Sequence, residues 1–256
     1  MSLQKLEGVL IISVKKNHLI QVMSAILFVS LSIGYLQFAA HPMLEKWEQE
    51  KILVRRVNTS LPLVALTFDD GPVAETTTAV LDALQRNQAH GTFFLLGQRA
   101  ENHPELVKRM TREGHEVGNH SYSHANYNKM KTAEQMEDIF RTNQIIERLS
   151  GQPVRLFRPP GGYLSVAMVE KCRAADLTIA YWTYKQDPKD WRNGTRAASI
   201  ARSILDHLEP GQIIILHDGA PNANETAKAL DLLIPELNKR GYSCVTLSDL
   251  MAMENK

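Results

Sequence analysis

The chain is short of several things, and each shortage narrows the field. Among 256 residues there are two cysteines, Cys172 and Cys244. That is too few for a disulfide framework or a thiolate zinc module, and they read as two separate thiols. Neither sign of charge is in excess: Lys plus Arg is 29, Asp plus Glu is 28, and the formal net charge is +1. Proteins that grip a phosphate backbone carry a basic surplus, so no nucleic-acid partner is expected. No internal repeat or low-complexity tract breaks the text. What is present is an apolar content of 44%, ordinary for a packed globule and too high for disorder. The length suits one α/β domain of barrel size.

One long run, Leu19 to Ala40, has no charged side chain. At about 1.5 Å of rise per residue it can cross the roughly 30 Å core of a bilayer as a helix. Phe38-Ala39-Ala40 makes a poor cleavage site, because a bulky ring stands where a small residue is wanted. The expectation is therefore an uncleaved transmembrane signal anchor over 19–40, with a cleaved signal peptide or a buried core helix as alternatives. Residues 1–18 would be a cytoplasmic amino-terminal segment, 41–60 a polar stalk and 61–256 the catalytic domain. Basic residues are similar in number on the two sides, but Lys15 and Lys16 abut the run and favour an inside amino terminus. The domain would then be extracytoplasmic on a single-pass anchor at the cell membrane, or secreted if the segment is cleaved.

From Leu61 the text alternates regularly. Strands are expected at Leu63–Phe68, Thr92–Leu96, His115–Asn119, Val154–Phe157, Leu177–Trp182, Ile213–Leu216 and Ser243–Leu247. Helices are expected between them: Thr76–Ala89, Pro104–Glu113, Thr132–Ser150 stopped by Gly151, Ser165–Ala175, Ser199–Leu208, and Glu225–Arg240 interrupted by Pro235. Strand then helix, repeated about seven times, predicts a parallel sheet with helices outside, and the compactness of the units favours a distorted or incomplete (β/α) barrel.

Polar residues collect just after the predicted strands. They are Asp69-Asp70-Gly71-Pro72, His120-Ser121-Tyr122-Ser123-His124, Arg158-Pro159-Pro160-Gly161-Gly162, Asp187 to Trp191, and His217-Asp218. In a parallel barrel all these ends lie on one rim, where such folds place their active sites. Each segment alone reads as a turn or a cap; five together are hard to obtain by accident. Two imidazoles and a carboxylate are the kit for a divalent metal with an open coordination position. A neighbouring carboxylate suits a general base, an Arg beside it would keep it ionised, and a His from another strand suits a general acid. The composite reads as metal-assisted hydrolysis.

These motifs resemble, in order, the five motifs of the polysaccharide deacetylases, also called carbohydrate esterase family 4 or the NodB-homology domain. The resemblance runs from about Leu63 to Met251. It implies a distorted barrel that removes an N-acetyl group from an amino sugar in peptidoglycan or chitin-type glycans. It implies Asp69 as base, His217 as acid, Arg158 paired with Asp69, and Asp187 tuning His217. Asp70, His120 and His124 would bind a divalent metal, zinc first, with cobalt, nickel or manganese as alternatives. Pro160, Gly161, Tyr163, Trp191 and Leu216 would line the substrate side, with Trp191 and Leu216 walling the acetyl pocket. Many members carry an aromatic residue where Gly161 stands; Gly161 keeps the backbone N–H expected to hold the oxyanion, and Tyr163 is a candidate replacement for the ring. Two rival functions remain: a non-catalytic glycan-binding cell-wall protein, and an esterase removing O-acetyl groups from xylan-type glycans.

Overall fold

The computed structural model describes residues 2–6, 9–13 and 43–256, which fall into two compact units, Met1–Lys46 and Trp47–Lys256. In the first unit β1 (Ser2–Leu6) and β2 (Val9–Ser13) form an antiparallel hairpin. The anchor expected over 19–40 lies outside the described residues. Among those described, no helix is long and apolar enough to cross a membrane.

The second unit begins earlier than expected. Helix α1 (Leu44–Gln49) carries Trp47, which is fully buried, and Ile52, Leu53 and Val57 are buried behind it. The two-residue strand β3 (Leu53–Val54) pairs in parallel with β8 (Thr178–Ala180). The stalk expected over 41–60 is thus corrected from Trp47 onward. The charged residues there are on the surface, but four of the five apolar ones between them are buried, each such burial contributing about 1.5–3 kcal/mol.

The sheet has eight strands, consistent with a distorted barrel. Besides β3 and β8 it contains β4 (Leu63–Asp69), β5 (Thr92–Leu95), β6 (Glu116–Asn119), β7 (Leu156–Phe157), β9 (Gln212–His217) and β10 (Ser243–Val245). Every ladder between them is parallel. The order runs β10-β4-β5-β6-β7-β8-β3, and β9 also pairs with β4. Between β9 and the chain after β8 there is no ladder, only separate backbone bonds: Thr183 N–H to Ile213 C=O at 2.9 Å and Ile215 N–H to Gln186 C=O at 3.0 Å.

Helices α2 (Ala74–Arg86), α3 (Gly97–Asn102), α4 (Pro104–Arg112), α5 (Thr132–Ser150), α6 (Val166–Ala174), α7 (Ala197–Leu205), α8 (Ala223–Lys239) and α9 (Leu247–Met251) connect the strands. Helix α5 has the expected limits, ended by Gly151 in the left-handed conformation. Helix α8 passes through Pro235 without stopping: Leu233, Ile234 and Leu237 are all buried around it, and that packing outweighs the one hydrogen bond a proline removes.

Alternation along the strands sorts side chains into two layers. Val64, Leu66 and Phe68 of β4 join Ile214 and Leu216 of β9 in the core beneath the helices. Ala65 and Ile213 face the other way, with Phe94 and Ala180. Thr67 and Asp69 share the parity of Ala65, and Ile215 and His217 that of Ile213, so the polar strand ends emerge from the inner layer. Cys172 and Cys244 are both buried and free.

Candidate active site

Asp69 is the last residue of β4, and Arg158 follows β7. Both are almost wholly buried, with the Arg158 Nη1 donating to Asp69 Oδ1 at 2.7 Å. Each of the three guanidinium nitrogens is committed. The group also donates to Thr67 Oγ1 (2.8 Å) and to the carbonyls of Ala180 (3.1 Å) and Tyr181 (3.0 Å), and it lies 4.1 Å from the centroid of the Phe94 ring. Burial alone would push Asp69 up. The Arg158 charge, helped by His120 and His217, outweighs it and holds the carboxyl below its ordinary range.

On the far side of Asp69 lies a three-residue cluster. His120 Nε2 is 3.6 Å and His124 Nε2 3.7 Å from Asp70 Oδ1, and the three candidate ligand atoms all lie within 4.8 Å of one another. Asp70, Ser121 and His124 sit at positive φ (+72°, +75° and +57°), a conformation that costs about 1–3 kcal/mol each in non-glycine residues and persists where the surroundings enforce it. His120 Nδ1 lies 2.7 Å from the Arg158 carbonyl oxygen, so the ring proton belongs there and the Nε2 lone pair faces Asp70. Asp70 Oδ1 is buried and has no hydrogen-bond partner. One oxygen and two imidazole nitrogens converge with no hydrogen bond to that oxygen, and a divalent cation fits that donor set.

His217, at the end of β9, completes the arrangement. Its Nδ1 lies 2.9 Å from Asp190 Oδ1. The second oxygen of the buried Asp190 accepts from the His217 amide (2.7 Å) and from Thr226 Oγ1 (2.8 Å). Burial opposes protonation of His217, but the Asp190 hydrogen bond and charge, with Asp69 and Asp70 behind them, push the imidazole up to about 9.

Asp69, Asp70, His120, His124, Arg158 and His217 are therefore brought together as expected. Two expectations are corrected. Asp187 does not meet His217; it takes the Lys189 ammonium at 2.6 Å, and the partner of His217 is Asp190, three residues on. Both carboxylates occupy one irregular loop, where sequence spacing carries no facing rule. Leu216 cannot wall a pocket beside His217, because it points into the helix-side core; Ile215, buried and of the same parity as His217, is on that side instead. Pro160 is buried in a short 3₁₀ turn just after Arg158 and Pro159. Gly161 stands at φ +60° with open space where a Cβ would go. Tyr163 meets the ring of Tyr127 edge-on at 6.4 Å. Trp191 is 41% exposed, with Arg192 5.5 Å and Lys189 6.0 Å from its ring centroid. Of the residues that hold Arg158, Thr67 opens the motif that carries Asp69, whereas Phe94 lies in a strand with no polar motif after it and had no signal.

Fold and site define a class: parallel-sheet α/β proteins with a candidate cation site flanked by a buried carboxylate and a paired histidine. A family model described as polysaccharide deacetylase matches residues 56–180. A Bacillus cereus peptidoglycan-N-acetylglucosamine deacetylase is 40% identical over 190 residues, 74% of this chain and 88% of that one. The crystal structure of a peptidoglycan N-acetylglucosamine deacetylase superposes with a TM-score of 0.78 at 33% identity, covering 84% of this chain and 99% of the other. A family 4 acetyl xylan esterase from Clostridium thermocellum, in complex with a cobalt ion, gives a TM-score of 0.70 at 36% identity, covering 75% and 91%. The chain belongs to the polysaccharide deacetylase family.

Proposed function

We propose that the protein is a divalent-metal-dependent deacetylase that removes N-acetyl groups from amino-sugar glycans, peptidoglycan first and chitin-type oligomers second. The observation that carries the proposal is the partnerless Asp70 Oδ1 facing His120 and His124, with a charge-paired acid–base set on either side.

Asp70, His120 and His124 would hold the cation. When bound, it supplies a Lewis acid that lowers the pKa of water and takes up developing negative charge. The other residues handle protons. Asp69, kept ionised by Arg158, accepts a proton from the attacking water. The Gly161 N–H is the proposed donor to the oxyanion. His217 carries a proton at neutral pH and gives it to the departing amine, which is too basic to leave unprotonated. Asp190 holds the imidazole by its amide and by Nδ1, leaving Nε2 for that transfer. Ile215 and Trp191 offer apolar surface for the acetyl methyl and a sugar face. The cobalt bound by the related esterase, and the donor set here, support a divalent ion, zinc first. The charge-free run over 19–40 supports placing the catalytic unit outside the cell membrane, anchored or secreted.

Acetate release from N-acetylglucosamine oligomers and from peptidoglycan is the direct test. It is expected to vanish with chelator, to return with added divalent ion, and to fall about 10²–10⁴-fold in Asp69→Asn. Glycan binding without acetate under any divalent ion would leave a binding protein. Faster release from O-acetylated xylan than from N-acetyl substrates would make it an esterase.

A further inference from the structure

The ends of β4 and β9 touch directly. The amides of Asp218 and Gly219 both donate to the Asp69 carbonyl, at 3.2 and 3.3 Å. A Cβ on Gly219 would lie 2.3 Å from the Asp70 carbonyl oxygen, so only glycine permits this approach. The contact sets the carbonyls of Asp70 and Gly219 side by side, each with its negative end in need of a donor. Arg99, partly buried on α3, supplies it: one Nη1 donates to Asp70 C=O at 2.8 Å and to Gly219 C=O at 2.9 Å. The same helix is tied to the histidine loop. The amides of Gly97 and Gln98 donate to the carbonyls of Ser121 and Tyr122 at 3.0 and 2.9 Å. One short helix therefore touches all three loops that carry Asp70, His120–His124 and His217.

We propose that Arg99 is a positioning residue whose guanidinium clamps the Asp70 and Gly219 carbonyls, aiming the Asp70 carboxylate at the two imidazoles and setting the cation site against His217. The proposal rests on the reading of Asp70, His120 and His124 as metal ligands. Asp70 sits at φ +72°, so its carboxylate direction follows from a backbone that must be held in place. A charged donor shared by two carbonyls does this: the two N–H groups of the one Nη1 serve one carbonyl each.

The test uses the full chain with Co²⁺ as probe. Affinity is read by chelator competition, ligand geometry by the visible cobalt spectrum, folding by thermal melting without metal, and turnover by acetate release. Arg99→Ala is expected to melt cooperatively, to bind Co²⁺ about 10–100-fold more weakly, and to show an altered spectrum. Its kcat should fall by a similar factor with KM little changed, and added guanidinium should recover part of the affinity. Should Arg99→Ala fail to fold, Arg99→Gln, which keeps a neutral donor, is measured in its place. Parental affinity and spectrum in a folded Arg99 variant, alongside lost binding in Asp70→Ala, would overturn the clamp alone. No Co²⁺ binding by the parent, or undiminished binding by Asp70→Ala, would overturn the metal reading and the clamp with it.

Discussion

The two halves of the site follow opposite electrostatic plans. Asp69–Arg158 and His217–Asp190 are closed pairs: buried, hydrogen-bonded, opposite in charge when His217 is protonated, and supported by Thr67, Thr226 and backbone carbonyls. Asp70, His120 and His124 form an open cluster, with Asp70 Oδ1 3.6 and 3.7 Å from the two imidazole nitrogens and without a hydrogen-bond partner. The closed pairs fix their protonation states before any ligand arrives. The open cluster has lone pairs aimed at a common point and is completed only by a positive charge from outside. On the proposed reading, acid–base chemistry and cation binding would be separated within one site, joined by His120, whose Nε2 is also 3.7 Å from Asp69 Oδ2.

The contrast is broken most forcefully at Arg158. Arg158→Met leaves a buried carboxylate and several carbonyls without their donor, and is expected to lower the unfolding free energy by about 3–5 kcal/mol. Asp70→Asn in metal-free protein removes a charge whose Oδ1 had no partner, and should stay within about 1 kcal/mol of the parent. Denaturant melts measure both; equal losses would mean that the cluster is as self-sufficient as the pairs.

A smaller effect separates the two loop carboxylates. Asp190→Asn is expected to cut kcat about 10²-fold by weakening the hold on His217. Asp187→Asn should change it by less than about twofold, as expected for a partly exposed ion pair to a surface lysine. The reverse ranking would return the role to Asp187.

The smallest effect joins the two halves. The folded-state value of His217, about 9, lies above its ordinary 6.5. Its stabilising contribution is therefore complete below pH 6.5 and is lost as pH rises through 9, and activity that needs the protonated acid should decline on the same alkaline side. A cation beside Asp70 offsets part of the negative charge that raises His217. Metal-loaded protein should therefore titrate His217 at lower pH than metal-free protein, and Asp190→Asn should move it further towards 6.5. Imidazole NMR titration measures each value; identical values with and without metal would show the two halves to be uncoupled.

Much of this site was legible from spacing. Asp69-Asp70, the histidines four apart, Arg158 and His217 each follow an expected strand directly, and a parallel fold delivers strand ends to one rim. The residues misread are those where that rule stops. Asp187 and Asp190 share an irregular loop, so only its path selects which reaches His217. Leu216 and Ile215 are adjacent and equally apolar, and the pairing of β9 with β4 decides which faces inward. The span around Trp47 looks like a stalk because mixed charges are spread through it, although most of the apolar residues between them are buried.

By itself the sequence determined the alternation of strands and helices, the limits of α5, and the chemical kit of the site. Periodicity, end signals and residue type are local properties that survive without neighbours. Tertiary structure decided the partner of His217, the inward face of β9, the strand recruited near Leu53, and the reach of Arg99 to two main-chain carbonyls. Those depend on atoms far apart in the chain, and backbone acceptors are the same at every residue, so nothing in the order of side chains marks which of them will need a donor.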